Sequence, residues 1–331
     1  MNFSLKSGLR LRQASLTDYD DVYAINSNVY NGWDYLPEIY IQWIADKSRD
    51  NLLILSEQNE VIGFFSLSHY TTGKYTIYVE QGLRLRDDVQ GTSISKDVVA
   101  WIDGYAHSKS PNPLLLSLTV PFFAKEDYES KIEKYLAGSN TRTVLQVSLF
   151  ISFPLTESVK VKLREKTDNL CVVDVKQLYK HLSDLHFPGL KFNATYNGYI
   201  FKQRFYPFLI NKSFQLETLN PLSSPVLHHK SKIHILKSAN VISLGDLTPV
   251  GTRGEWVINI DIYGEHQLEF MSHLRAHFMH FEQYGVTITD VLFHVPNIEN
   301  IKQSEFYQEF RLLKTEKGIF TPTFVNQLKL F

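Results

Sequence analysis

The chain runs through one order of elements twice. In the first half a helical run at 95–107 leads into an apolar strand that ends on Val120-Pro121; in the second, a helical run at 265–283 leads into a strand that ends on Val295-Pro296. The helices and strands around these two Val-Pro pairs follow the same sequence at a similar offset, which implies two copies of one α/β unit. A length of 331 residues accommodates two such units at about 150 residues each.

The first unit is the more legible. Residues 9–14 suggest a short strand and 16–30 an amphipathic helix, with Val22, Ile25 and Val29 on one face and Asp18, Asp20 and Asp21 in the first turns, where the helix dipole favours carboxylates. A second helix is expected over 38–45, opened by Pro37, with Ile41 and Ile44 sharing a face. Strands over 51–56, 61–68 and 74–86 are joined by Gln58-Asn59-Glu60 and Thr71-Thr72-Gly73 as successive antiparallel hairpins. A polar turn over 87–93, the helix at 95–107, a strand over 114–120, a helix over 125–136 and a β-rich run over 143–153 bring the unit to Pro154.

Beyond it, the charged residues 156–166 are expected to connect the halves. A helix over 174–185, an aromatic strand region over 196–208 and a Pro/Ser loop over 220–232 follow. The second half then gives a strand over 256–263, the helix at 265–283, a strand over 290–295, a helix over 301–310 and terminal strands. The expected fold class is α+β, with one domain over 1–154 and a degenerate copy of it over 155–331.

Composition narrows the function. Lys and Arg number 34 against 35 Asp and Glu, a net charge of -1, so the broad basic field of a general nucleic-acid binder is missing. Hydrophobic residues at 44% and aromatics at 13% belong to a folded chain rather than a disordered one. The single cysteine, Cys171, permits no internal disulfide and no thiolate zinc site; it lies in the apolar stretch 170–173 and reads as a buried, inert thiol. The opening residues lack a signal peptide's hydrophobic centre, and no apolar run approaches the roughly 20 residues of a membrane span. A cytoplasmic protein with no membrane or nucleic-acid partner is expected.

Chemistry concentrates at two turns. Gln90-Gly91-Thr92-Ser93-Ile94-Ser95 joins the long strand ending near Arg86 to the next helix, and backbone amides at a helix N-terminus hold phosphate or pyrophosphate. The element order and this turn resemble the GCN5-related N-acetyltransferases, whose pyrophosphate loop has the form Gln/Arg-x-x-Gly-x-Gly/Ala. Gln90 fits its first position, while Ser93 and Ser95 replace the two small apolar ones: a serine hydroxyl can cap the helix or meet phosphate, and its Cβ removes glycine's torsional freedom. The second turn, Val29-Tyr30-Asn31-Gly32-Trp33-Asp34-Tyr35-Leu36-Pro37, resembles the Tyr-Gly-Gly-x-Asp-Tyr-Leu-Pro segment of the histidine N-acetyltransferase family. That resemblance continues through Glu80, Gly82-Leu83-Arg84, Lys134-Tyr135 and Asn259-Ile260-Asp261.

The resemblance implies transfer of acetyl from acetyl-CoA to the amino group of a small amine or amino acid, histidine first. It implies Glu80 as the base, direct or through water, and Tyr135 as the acid for the leaving thiolate, with Tyr128 competing for that role. Leu83 and Leu85 would give backbone groups to the pantetheine arm, and Gln90, Gly91, Thr92, Ser93, Ile94 and Ser95 would hold the pyrophosphate. Trp33, Asp34 and Tyr35 would recognise the substrate's ammonium and ring. Each assignment has a plain counterpart: Glu80 as a strand carboxylate paired with Arg84 or solvent, Tyr135 as an ordinary half-buried tyrosine, and the Asp34 loop as a packed turn with an exposed acid. The rival reading of the whole chain is a non-catalytic acetyltransferase-like protein that has lost CoA and binds something through the aromatic loop.

His266, His273, His277 and His280 fall within about 60° of arc on the helix at 265–283. With no HExxH acid and no third ligand in pattern, no metal is expected there. They read as a helix edge, or as a surface that gains charge near pH 6.5.

Overall fold

The computed structural model describes residues 2–5, 7–26, 34–119, 142–165, 170–173, 180–181, 191–192, 198–203, 206–211, 234–238, 241–250, 254–264, 269–296 and 324–330, with backbone alone at 72 and 250 and over 2–3, 114–119, 142–153, 191–192, 198–203, 206–211, 293–296 and 324–330. The first half opens with β1 (Asn2–Ser4) and β2 (Arg10–Gln13), then a short 3-10 turn and helices α1 (Tyr19–Ala24) and α2 (Leu36–Ala45). Strands β3 (Arg49–Leu55), β4 (Val61–Thr72) and β5 (Tyr75–Leu85) lead to helix α3 (Ile94–Lys109), β6 (Pro113–Thr119) and β7 (Arg142–Pro154). The second half carries α4 (Glu157–Leu163), β8 (Cys171–Val172), β9 (Lys191–Phe192), β10 (Gly198–Gln203), β11 (Tyr206–Asn211), β12 (His234–Lys237), β13 (Val241–Val250), β14 (Glu255–Gly264), α5 (Phe270–Glu282), β15 (Thr287–Pro296) and β16 (Phe324–Leu330).

Among the described residues, 13 strands form one sheet in the order β1-β2-β3-β4-β5-β6-β16-β7-β15-β14-β13-β12-β8. The halves exchange their last strands. The final strand of the first, β7, pairs antiparallel with β15, and the final strand of the second, β16, pairs antiparallel with β6. The exchanged strands also pair with each other over seven residues, Phe324↔Ser148 to Leu330↔Arg142. The order mirrors itself about that pair: β5 and β6 are parallel on one side, as β14 and β15 are on the other. The repeat expected from the two Val-Pro strands is thus present as a symmetric sheet, and the halves cannot part without opening its centre.

Among the described residues, three cores hold the elements. On one side of the first half, Ile94, Val98, Ile102 and Ala106 recur every four residues along α3 and pack on Leu52, Ile54, Phe65, Leu67 and Tyr78. On the other, Leu36, Ile39, Tyr40 and Trp43 of α2 pack on Leu53, Leu55 and Phe64. The expected Ile41/Ile44 face is wrong: Ile41 is 64% exposed, because the aromatic Tyr40 and Trp43 take the inner face. Helix α2 also starts two residues earlier than expected, with Pro37 in its first turn.

The charged stretch after Pro154 is not a bare connection. Thr156 caps α4 by accepting from Val159 N, and Val159 and Leu163 join the second half's core with Ile258, Ile260, Leu274 and Phe278. Cys171 is a further correction: it is exposed on the short edge strand β8, since only Val173 of that apolar stretch turns inward. The helices expected over 125–136 and 301–310 and the loop over 220–232 lie outside the described residues. No described helix is long and apolar enough to cross a membrane.

Candidate active site

The site begins where two strands part. β5 and β6 run in parallel register from Thr76↔Pro113 to Glu80↔Ser117, and there their pairing ends. β5 continues to Leu85, while β6 continues to Thr119 against β16. On its other side β5 bulges: Phe64 pairs with Arg84 and Ser66 with Gln81, so Phe65 is opposed by two residues, Gly82 and Leu83. The edge of β5 beyond Glu80 therefore faces a gap with no strand partner among the described residues. Backbone groups in such a gap can pair with the amides of an extended ligand.

The turn after β5 is built by short local bonds. Gln90 Nε2 donates to the Leu85 carbonyl at 3.0 Å and to Asp87 Oδ1 at 2.7 Å, and Thr92 Oγ1 donates to the Val89 carbonyl at 2.7 Å. Gly91 supplies the left-handed residue, φ +74°, and nothing lies within 4 Å of where its Cβ would be. Ser93 follows as the N-cap of α3 with φ -73° and ψ -5°, and Ser95 lies in the first helical turn. Neither serine needs glycine's freedom, so their Cβ atoms impose no backbone strain. Ser93 makes no side-chain capping bond, contrary to one of the roles expected of it. Ile94 is buried in the α3 core, so only its backbone is available to a ligand.

Carboxylates crowd this turn. Asp87 and Asp88 are exposed, and Asp97 in the first turn of α3 accepts from Ser7 N at 3.1 Å. Arg86 is the nearest guanidinium and is already engaged, by Asp88 at 2.7 and 3.0 Å and by Glu60 at 3.2 Å. That pairing holds the Asp88 carboxyl below its usual range and Arg86 above its own.

Asp34 meets Arg84, not solvent. The two form a buried bidentate pair, Nη1 to Oδ2 at 2.8 Å and Nη2 to Oδ1 at 2.9 Å, and Asp34 Oδ1 also accepts from Leu36 N at 3.0 Å at the start of α2. Tyr35 is 7% exposed and packs edge-on against Trp43, ring centres 6.0 Å apart. The exposed acid of the packed-turn reading is therefore corrected: Asp34 is buried, and its oxygens accept from the neighbouring strand and helix. Trp33, Tyr128 and Tyr135 lie outside the described residues. Beside Arg84, Tyr19, Tyr23, Leu36, Pro37 and Tyr40 line a shallow, open cleft. Burial raises the hydroxyl pKa of Tyr40, which donates to the Ser15 carbonyl at 2.7 Å.

Strand alternation puts the predicted residues on two faces. Glu80, buried at 9% exposure, is the cross-strand partner of Leu67 and lies two residues beyond Tyr78, both of the α3 core; Leu83 and Leu85 pack there too. Arg84 is the partner of Phe64, in the α2 core, and so sits with Asp34 on the opposite face. Glu80 is therefore not paired with Arg84.

The histidines of α5 are a correction as well. His273 and His277 are fully buried against the sheet, and the surface that gains charge near pH 6.5 does not exist there; His266 lies outside the described residues. Sequence reading missed their partners, Ser243 and Gly245, because β12 and β13 were not recognised as strands. The signal was present in the alternation of apolar and small residues through Val241-Ile242-Ser243-Leu244-Gly245. Among the described residues no group of three or more His, Cys, Asp or Glu is arranged to hold a metal ion.

Comparison with known proteins agrees with this architecture. No family model matches the chain. A histidine N-acetyltransferase of Scomber australasicus is 28% identical over 114 residues, covering 34% of this chain and 33% of that protein, so the matched part spans about a third of its length. A histidine N-acetyltransferase of Oreochromis niloticus is 23% identical over 303 residues, covering 82% of this chain and 80% of that one. Among solved structures, a GCN5-related N-acetyltransferase from Sphaerobacter thermophilus superimposes with a TM-score of 0.52 at 10% identity, over 99% of this chain and 97% of that one. A tandem protein of the same fold from the clavulanic acid biosynthesis pathway gives 0.50 at 9% identity, over 98% of both chains. The chain has the fold of two GCN5-related N-acetyltransferase units in tandem.

Proposed function

We propose that the protein is an N-acetyltransferase that moves acetyl from acetyl-CoA to the amino group of a small amine or amino acid, with histidine the first acceptor to test. The division of the chain into 1–154 as the catalytic unit and 155–331 as its degenerate copy is part of this reading. The observation that carries it is the alignment of three features on one strand: pairing to β6 ends at Glu80, the bulge follows at Gly82, and the Gly91 turn opens α3. A thioester donor with a long amide-bearing arm and a pyrophosphate needs that order. Peptide-like groups can pair with the edge of β5 at Leu83 and Leu85, and phosphate oxygens can meet the amides from Gly91 to Ser95.

Acetyl-CoA supplies an acetyl group already activated as a thioester. The chain's part is to strip a proton from the incoming ammonium, so that the nitrogen lone pair can form the new C–N bond, and to return a proton to the sulfur as the C–S bond breaks. Glu80, at the point where the strands part, is the proposed proton acceptor, directly or through water. Tyr135 is the proposed proton donor on the strength of the resemblance. Acceptor recognition is assigned to Trp33, Asp34 and Tyr35, with Asp34 held in place by Arg84, beside the aromatic cleft lined by Tyr19, Tyr23 and Tyr40.

A second reading, a binding protein without catalysis, draws support from the acidic turn. Asp87, Asp88 and Asp97 repel an anion, and Arg86 is already neutralised. Calorimetric titration with acetyl-CoA separates the two. Micromolar binding that weakens on mutation of Gly91 supports the transferase; no binding at millimolar concentration supports the second reading.

A further inference from the structure

Helices α3 and α5 occupy matching places in the two halves, but they are fastened differently. α3 buries Ile94, Val98, Ile102 and Ala106, whereas α5 buries Ser272, His273 and His277 among its apolar residues. His273 and His277 have no exposed surface. They belong to one hydrogen-bonded chain that links α5 to β12, to β13 and to Ser238.

The chemistry of the groups fixes the direction of that chain. Ser238 Oγ faces two groups that only accept, Glu269 Oε2 and the Val241 carbonyl at 3.3 Å, so its one proton goes to them and its lone pair accepts from His273 Nε2 at 3.0 Å. His273 Nδ1 is then an acceptor, from Ser243 Oγ at 2.6 Å; Ser243 Oγ accepts from His277 Nε2 at 2.7 Å; and His277 Nδ1 accepts from His234 Nδ1 at 3.1 Å. Between the ends, Ser238, His273, Ser243 and His277 each give one proton and take one, with the rings neutral and each in a single tautomer. The fit is tight as well as satisfied, because a side chain at Gly245 of β13 would overlap the His277 ring.

The surroundings do not welcome a positive charge. His280 stacks on His234 with ring centres 3.7 Å apart, and Tyr284 lies 3.4 Å from His280. Lys237 on β12 approaches His181 at 3.1 Å. Arg275 of α5 is bonded to Glu165, and Glu282 to Arg164, both just beyond α4. On β13, Asp246 alternates to the opposite face from Ser243 and Gly245. Glu269, at one end, is thus the carboxylate that answers the chain among the described residues. Burial accordingly pushes His273 down to about 4 despite Glu269, His234 down to about 3, and His277 far below its usual value.

We propose that this chain is an acid-operated latch, which fastens α5 to the second half's sheet while the rings are neutral and releases the helix when they take up protons, with the first half left folded. The direction follows from linkage. A released histidine titrates near 6.5, so nothing is lost above that pH; below it, each ring held neutral in the closed form favours the open form by about tenfold per pH unit. For His234, His273 and His277 together the preference steepens to about a thousandfold per unit, levelling off once pH falls below the closed-form values.

Hydrogen–deuterium exchange of the full chain, corrected for the intrinsic rate at each pH, tests this. Protection over 270–282 should collapse between about pH 6.5 and pH 5 while that over 94–109 holds. Equal loss in both helices, or none in 270–282, would overturn the latch. The His234→Asn variant keeps a donor toward His277 and removes one titrating ring, so the steepness of opening should drop by about tenfold per pH unit; unchanged steepness excludes His234 from the latch. Ring nitrogen spectra of the unmutated protein give a readout that needs no variant. His273 and His277 should carry their proton on Nε2 and His234 on Nδ1 at neutral pH, and any other tautomer contradicts the chain.

Discussion

Asp34 and Arg84 meet fork to fork across the joint between α2 and β5, each nitrogen of the guanidinium's open end on its own carboxylate oxygen at 2.8 and 2.9 Å. Fifty positions separate them in the chain. Arg84 follows the bulge of β5, and Asp34 also accepts from the amide of Leu36, so one carboxylate sets both the start of a helix and the course of the strand that carries Glu80. Leaving either charge alone in this site is expected to cost about 3–5 kcal/mol. Asp34→Asn should therefore lower the urea midpoint strongly, and the double variant Asp34→Leu with Arg84→Met should recover most of the loss. If the double variant is as unstable as the single one, the pair does not act as a unit.

Glu80 is expected to matter for turnover and not for donor binding. It stands on the α3 face where β5 and β6 part, while the turn over 90–95, proposed to hold phosphate, lies beyond the far end of β5. Glu80→Gln should slow acetyl transfer by about a hundredfold or more and leave the acetyl-CoA dissociation constant within about twofold, because general-base contributions run at about 10²–10⁴. An unchanged rate removes Glu80 from the proton path.

Much of this was legible in the residues, and what was not has physical causes. The order of elements and the turn at Gln90 could be read because apolar periodicity and a polar break are local properties. The exchange of β7 and β16 could not, since an apolar strand carries no mark of which sheet neighbour it will choose. The pairing of Asp34 with Arg84 was not legible because a buried salt bridge depends on a partner fifty residues away. The α5 histidines looked superficial because their spacing is amphipathic; only the small residues Ser243 and Gly245 on the facing strand make room for them.

Gly91 and the two serines of the turn should behave oppositely. Gly91 has φ +74°, where a residue with a Cβ is strained by about 1–3 kcal/mol; Gly91→Ala should weaken acetyl-CoA binding by about tenfold, read by calorimetry. Ser93 has φ -73° and Ser95 is helical, so Ser93→Gly and Ser95→Ala should leave affinity the same or better. A tenfold loss from either serine variant would show that its hydroxyl contacts the ligand.

Asp88 competes with any bound anion for Arg86. Replacing it with asparagine removes a negative charge beside the turn and loosens a half-exposed surface pair, so acetyl-CoA affinity should rise by about two- to fivefold at low ionic strength and lose that gain as salt screens it. No change at low salt would mean that the phosphates lie beyond reach of Arg86.

Gly245 and His277 should prove inseparable. A Cβ at position 245 would overlap the ring of His277, which is wedged between Ser243 and His234 and has no room to retreat. Overpacking of this kind typically costs about 1–3 kcal/mol, so Gly245→Ala should lower the thermal midpoint. The loss should come from the clash and not from the strand, because β13 pairs with β14 without interruption at this residue. Combining Gly245→Ala with His277→Ala removes the clash: the double variant should lose less than the sum of the two single changes, by about 1 kcal/mol or more. Strict additivity would mean that the helix moves aside to admit the methyl group, and that the close approach of β13 to α5 is looser than the geometry indicates.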